Sequence, residues 1–350
     1  MNGERLRVAL VGCGRMGATI DDEVVGRPDF VPPYSHAASI RAAAELELVA
    51  VADVDAAKVA AAQARYGVAA GYTDYREMIR AERPDIVSIA TRPATHREIV
   101  EYAAAAGVRG IYCEKPLCCS MAEADAIRAA CEQAGVKFNL GTNRRYQLLY
   151  HQIRERIRAG ELGEVRAIVG HCGGGGALWS LTHASDLLLF LAGDGEVEWA
   201  QGHARIPPET IAGNRIAADP PVPIGSFRFA SGAFGVLLPS PNFEIEVCGS
   251  EGWIRTWNNG VACDFRRRET RWGHYGPAEP VAAPVTSGTL GGLRDLARAL
   301  LTDGDTLSSV TIACRGLEMM LALVESERRG GARVPLPLAD RDLYVGKPDW

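Results

Sequence analysis

Arg7-Val8-Ala9-Leu10-Val11-Gly12-Cys13-Gly14-Arg15-Met16-Gly17 sets an apolar strand directly against G-x-G-x-x-G near the start of the chain. A strand that turns into a helix through glycines brings backbone close to a pyrophosphate. Gly12 allows the tight turn, Gly14 removes the Cβ that would meet phosphate, and Gly17 lets helix pack on strand. The helix end then offers unpaired N–H groups and a positive dipole end to the anion.

With 38 glycines in the chain, the motif alone is weak, and its surroundings decide. A second buried strand, Leu46–Ala52, ends at Asp53, where a carboxylate can accept both hydroxyls of an adenosine ribose. The gap from Gly17 to Asp53 exceeds the roughly 20 residues usual for this unit. The excess lies in the polar, proline-bearing stretch Asp21–Ser35, read as an inserted loop before a helix that begins near His36. Asp53 is followed by Val54 and Asp55, with no arginine to receive a 2′-phosphate, so NAD is expected over NADP. Lys58 or a residue of the inserted stretch is the alternative source of positive charge for NADP.

At 350 residues the chain exceeds what one core usually serves, and a dinucleotide-binding domain over 1–142 with a substrate-binding and oligomerisation domain over 143–350 is expected. No apolar run approaches a membrane span, and Met1-Asn2-Gly3-Glu4-Arg5 leads into a strand without a signal-peptide core, so a soluble, cytoplasmic protein is expected. A net charge of −5 with scattered Lys and Arg gives no basic face for nucleic acid, the only cluster being Arg266-Arg267-Arg268. Nine cysteines without a C-x-x-C pair read as reduced thiols rather than disulfides or a metal site.

After Asp53 the pattern alternates. Helices are expected over Ala56–Tyr66, Tyr75–Glu82, Ala94–Ala106 and Met121–Ala134, and strands over Pro84–Ala90, Gly110–Cys113 and Val136–Gly141, with a short strand or turn near Gly71. That rhythm specifies an α/β fold with a doubly wound parallel Rossmann sheet, whose ligands lie at the strand C-terminal ends. Thr91, Glu114 and Lys115 fall at such ends. In Glu114-Lys115-Pro116 the lysine leaves the sheet before a proline, the residue type that permits a cis peptide at modest cost. Beside a nicotinamide, a partly desolvated Lys115 would have a lowered pKa and could exchange a proton with a substrate oxygen.

Beyond residue 143 the pattern changes to short alternating strands: Val165–His171, Gly225–Phe229, Ala233–Leu238, Phe243–Cys248 and Trp253–Trp257. Joined by Gly, Pro and Asn turns, they imply an α+β domain with a large, mostly antiparallel sheet, one face of which needs cover from helices and the other from a partner subunit. His183 opens the helical run His183-Ala184-Ser185-Asp186-Leu187-Leu188-Leu189. An imidazole titrates near neutrality and suits proton transfer.

Gly12-x-Gly14-x-x-Gly17, Asp53, Thr91-Arg92-Pro93-Ala94-Thr95-His96 and Glu114-Lys115-Pro116 together resemble the glucose-fructose oxidoreductase and inositol dehydrogenase family, Gfo/Idh/MocA. Asn143-Arg144-Arg145-Tyr146, Gly160-Glu161-Leu162-Gly163-Glu164-Val165 and Gly249-Ser250-Glu251-Gly252-Trp253-Ile254 are similar to later family motifs, as is the closing helix. The resemblance implies a pyridine-nucleotide oxidoreductase acting on a sugar, cyclitol or related polyol, and a homodimer or homotetramer built through the second sheet; the cysteine and histidine spacing gives no metal site.

On the same resemblance, Gly12, Cys13, Gly14, Arg15, Met16, Gly17, Asp53, Thr91, Arg92, Pro93, His96, Glu114, Lys115 and Asn143 are expected at the cofactor. Lys115, Arg144, Arg145, Tyr146, His171, Trp179 and His183 are expected at the substrate, with Lys115 and His183 catalytic. The family commonly carries an aspartate four residues before the histidine; here Trp179 stands there, either stacked on a sugar ring or packed at the helix approach. Two other functions fit the same motifs: redox-assisted elimination of a glycosidic substituent, and a dinucleotide sensor without catalysis.

Overall fold

The computed structural model describes residues 5–350, so the reading of the first four residues lies outside the described part. Six short strands, β1 (Leu6–Val11), β2 (Leu46–Ala52), β3 (Ala70–Tyr72), β4 (Ile86–Ile89), β5 (Gly110–Cys113) and β6 (Lys137–Leu140), form one parallel sheet in the order β3-β2-β1-β4-β5-β6. β4 and β5 are buried at every position. That burial is why they read as continuous apolar runs rather than alternations. The crossover helices begin where local chemistry starts them: the Asp55 carboxylate accepts Ala57 N–H, Asp74 accepts Arg76 N–H, and Pro93 takes the first helical position.

The inserted stretch is more ordered than a loop. A short π-turn over Arg15–Thr19 and a helical turn over Asp21–Val24 follow the glycines, and the longer helix, His36–Ala42, waits until Ser35 caps it. Asp21 explains the fold-back, because its two carboxylate oxygens accept the N–H groups of Tyr34 and Ser35 at 2.6 and 3.0 Å. Acidic residues at the start of that helical turn also complement its positive end.

The chain divides into two compact units. The first takes the chain up to Cys118, Ala122–Tyr146 and Thr286–Cys314; the second takes Cys119–Met121, Gln147–Val285 and Arg315–Trp350. The single boundary expected at 142/143 therefore misses the return of Thr286–Cys314 to the Rossmann unit. The reason is packing: in the helix Gly288–Thr302, Leu293, Leu296 and Ala297 join the apolar core of the parallel sheet. Asn139 on β6 donates to Gly292 O and Asp295 Oδ2, both at 3.0 Å, and fixes the helix in place.

In the second unit nine strands form one sheet, in spatial order Glu279–Pro280, Ala262–Arg267, Gly252–Trp257, Glu244–Gly249, Val165–Gly173, Phe234–Pro239, Ile224–Phe229, Val197–His203 and Val334–Pro335. Only the Phe234–Pro239 and Val165–Gly173 pair runs parallel. Burial alternates along Ile224–Phe229, Glu244–Gly249 and Gly252–Trp257, so every second side chain enters the core. Leu323, on the helix Val310–Arg328, lies against Gly202 and Gly225, which places that helix on the sheet where two strands lack a Cβ. Three two-residue strands, Ile211–Ala212, Arg215–Ile216 and Tyr344–Val345, form a small separate sheet. Among the described residues no helix is long and apolar enough to cross a membrane.

A Cβ at Gly17 would run into the Gly12 carbonyl oxygen. Gly17→Ala is therefore expected to destabilise the first unit by about 1–3 kcal/mol through overpacking, read as a lower midpoint in urea unfolding; an unchanged midpoint would show that the turn has slack.

Candidate active site

The glycine turn makes an open cradle. Gly12 has φ +97°, and a Cβ there would sit 2.6 Å from Ala90 O, so only glycine fits between the ends of β1 and β4. A Cβ on Gly14 would meet nothing within 4 Å. That empty volume is what close approach of a phosphate needs. Asp53, just past β2, turns its carboxylate to the turn: Oδ2 accepts Cys13 N–H at 2.8 Å and Oδ1 accepts Asp55 N–H at 3.0 Å. Cys13 is buried, and burial, then the Asp53 charge, pushes its thiol up to about 12, which keeps it protonated and unreactive. Arg15 is exposed and paired with Glu23 at 2.7 Å, Met16 is half-buried, and Lys58 is 3.9 Å from Asp55. A dinucleotide fits this cradle: its pyrophosphate on the turn, its adenosine ribose at Asp53.

On the other side of β1, the ends of β4 and β5 carry a second cluster. Pro93 is buried and Arg92 exposed at the helix start, while the Thr91 hydroxyl accepts from Thr95 at 2.8 Å. His96 is fully buried, its Nδ1 3.1 Å from the carbonyls of Pro116 and Leu117 and its Nε2 3.3 Å from Thr91 O. Burial lowers its pKa against those hydrogen bonds. His96 thus ties the Thr91 loop to the cis Lys115–Pro116 link, holding the site from behind rather than offering a ring nitrogen to a ligand.

Glu114 is 5% exposed, and its Oε2 accepts Lys115 N–H at 3.2 Å. Its Oε1 lies 3.0 Å from His36 Nε2, and His36 Nδ1 lies 2.8 Å from Ser88 Oγ. His36 and Ser88 escaped the sequence reading. The available signals were a serine inside the apolar run Ile86-Val87-Ser88-Ile89 and a histidine at a capped helix start.

Asn143–Tyr146 form a 3-10 turn whose side chains divide by role. Asn143 accepts from Thr289 and hydrogen-bonds the Tyr34 phenol, and Arg144 is half-buried near the same ring. Burial raises the Tyr34 pKa, with Arg144 and Asn143 opposing. Arg145 is fully buried and donates to Leu307 O at 3.1 Å, while the Tyr146 hydroxyl donates to Leu140 O at 2.9 Å. Of the expected substrate residues here, Arg145 and Tyr146 are spent on the fold and Arg144 stays accessible. Tyr34 was missed because it arrives on the inserted stretch.

The second unit holds the remaining candidates. His171, on the strand Val165–Gly173, places Nε2 3.4 Å from Glu246 Oε2. Burial alone would raise the Glu246 pKa, but hydrogen bonds from Trp253, Cys248 and His171 and the Arg255 charge hold it below the usual range. The Trp179 ring is 37% exposed and lies 5.8 Å from the Trp350 ring, so it is not core packing. Asp219 accepts the backbone N–H groups of Leu178 and Trp179 at 2.8 and 3.1 Å. His183 is half-buried in the first turn of the helix Thr182–Leu191, with Asp186 buried one turn on.

Residues 6–142 match the model of the Gfo/Idh/MocA family, described as an oxidoreductase family with an NAD-binding Rossmann fold. D-apiose dehydrogenase of Paraburkholderia graminis is 34% identical over 160 residues, which span 46% of this chain and 38% of that protein. Myo-inositol 2-dehydrogenase of Thermotoga maritima is 26% identical over 270 residues, 71% of this chain and 74% of that protein. In fold, levoglucosan dehydrogenase, solved with NADH and levoglucosan, superimposes with a TM-score of 0.76 at 21% identity, over 95% of this chain and 100% of that one. Over residues 6–142, which carry the parallel Rossmann sheet and the glycine turn facing Asp53, the chain matches the Gfo/Idh/MocA family of NAD-binding oxidoreductases, and the proteins it is similar to include sugar and cyclitol dehydrogenases.

Proposed function

We propose that this protein oxidises a CH–OH group of a sugar, cyclitol or related polyol with NAD, or reduces the corresponding keto-sugar, with Lys115 and His183 handling the hydroxyl proton. The observation that carries this reading is the place of Lys115. It leaves the sheet at the end of β5, across β1 from Asp53, with its backbone N–H held by Glu114. When bound, NAD supplies the two-electron acceptor at its nicotinamide C4.

The rest falls to the chain. Gly12, Cys13, Gly14, Arg15, Met16 and Gly17 line the pyrophosphate and Asp53 takes the adenosine ribose; Thr91, Arg92, Pro93, Glu114 and Asn143 border the nicotinamide half, with His96 bracing them. The Lys115 ammonium polarises the substrate oxygen, and the His183 imidazole takes its proton as the carbonyl forms, or returns it in the reverse direction. Trp179 offers an aromatic face to the apolar side of a sugar ring, and Arg144 adds a polar contact.

A homodimer or homotetramer through the outer face of the nine-stranded sheet, in a reducing cytoplasm that keeps the nine cysteines unpaired, completes the proposal; the half-buried Val169, Val236 and Trp253 on that face support it.

A difference assay at 340 nm over a panel of free sugars, glycosides and cyclitols tests the reaction: steady NADH formation with one of them is expected. Product release without net NADH would replace this reading with oxidation-assisted elimination, and nucleotide binding without turnover with a sensor. Lys115→Met and His183→Ala should each cut turnover by roughly 10² to 10⁴ while nucleotide affinity holds; either variant at the wild-type rate removes that residue from the mechanism.

Asp53→Ala should weaken NAD more than NADP, because the lost carboxylate serves only the unphosphorylated ribose. Calorimetric titration with both nucleotides measures this, and equal losses would refute the assigned role.

A further inference from the structure

Under Lys115 runs a buried polar chain that proton transfer at the substrate does not require. Ser88 and His36 are fully buried and Glu114 nearly so, joined at 2.8 and 3.0 Å. The Tyr112 ring packs edge-on against His36 at 5.0 Å, and Gly141 makes room for the carboxylate, since a Cβ there would lie 2.9 Å from Glu114 Oε1. Burying polar groups in an apolar sheet is costly unless all are bonded, and an apolar set would pack as well without that cost.

What the chain achieves is the fixed placement of one carboxylate. Its two oxygens face two N–H groups, that of His36 Nε2 and the backbone N–H of Lys115, which is the acceptor-only arrangement of an ionised acid. Nε2 is assigned the imidazole proton, and the Ser88 hydroxyl then donates to Nδ1. One negative charge remains. β4 and β5 lie across β1 from β2, whose end serves the adenosine half, so the carboxylate belongs to the nicotinamide half of the crevice.

We propose that Ser88 and His36 position the Glu114 carboxylate as a fixed negative charge that makes the site bind the oxidised, pyridinium form of the cofactor more tightly than the neutral reduced form. This rests on the reading of the cradle as an NAD site. The oxidised ring carries one more positive charge than the reduced ring, and a charge fixed in a water-poor site discriminates between them without touching the rest of the nucleotide. In the oxidative direction, the same bias favours release of reduced cofactor after each turnover. Glu114 and His36 then have a task distinct from that of Lys115.

Dissociation constants for NAD and NADH, measured without substrate on the whole protein by calorimetry and by NADH fluorescence, test this together with the melting temperature. In the near-isosteric Glu114→Gln the affinity for NAD should fall roughly tenfold relative to NADH. His36→Ala should move the ratio the same way. His36→Gln, whose amide can donate to Glu114 and accept from Ser88, should restore most of it. A purely structural chain would lower the melting temperature and leave the ratio alone. Equal losses for both nucleotides in Glu114→Gln overturn the proposal even if His36→Ala does not fold, whereas a wild type that binds neither nucleotide overturns the cofactor reading as well.

Discussion

The contact between the Gly12–Gly17 turn and the end of β4 governs the first unit. Gly12 lies where a Cβ would be 2.6 Å from Ala90 O, and Gly17 closes back on the Gly12 carbonyl. Because neither position tolerates a side chain, the turn is pressed flat at the C-terminal edge of the sheet. The space above Gly14 is left open. From that constraint follow the aim of the Cys13 N–H at Asp53, the emergence of Thr91 beside the turn, and the arrival of Glu114 one strand further on. Packing at two glycines therefore fixes the C-terminal edge of the sheet, from which Asp53, Thr91 and Glu114 emerge.

Much of this was legible beforehand because it is local. The strands of the parallel sheet announce themselves as apolar runs, and their helices carry caps that single residues such as Asp55 and Asp74 provide. Features that depend on distant partners were not legible. Nothing in Asp21–Ser35 signals a helical turn until its first carboxylate meets the N–H groups of Tyr34 and Ser35. The return of Gly288–Thr302 to the first unit depends on Asn139, some 150 residues earlier. In the second sheet, Val197–His203 and Ala262–Arg267 mix charged and apolar residues, so their membership is settled by neighbouring strands rather than by their own pattern.

The candidate site shows the same division. Backbone-defined positions, the glycine turn, Asp53 and Lys115, fall where spacing puts them. Side chains whose role depends on burial sort differently from what adjacency suggests. Arg144 and Arg145 are neighbours, yet one is accessible and the other is sealed against Leu307 O. His96 and His36 are both fully buried, but one braces carbonyls and the other a carboxylate. A motif therefore locates a site better than it distributes tasks within it.

The substitution at Trp179 is best understood through Asp219. Where the family resemblance implies a carboxylate ahead of the histidine, this chain presents an indole, and the carboxylate that comes to the same stretch, Asp219, accepts the backbone N–H groups of Leu178 and Trp179. A carboxylate whose two oxygens each accept a peptide N–H is a poor proton acceptor, because those bonds favour its charged form. Asp219 thus holds the Trp179 turn in shape instead of replacing the missing acid. The indole is left as an exposed, flat apolar face, while the carboxylate of that stretch is spent on the backbone.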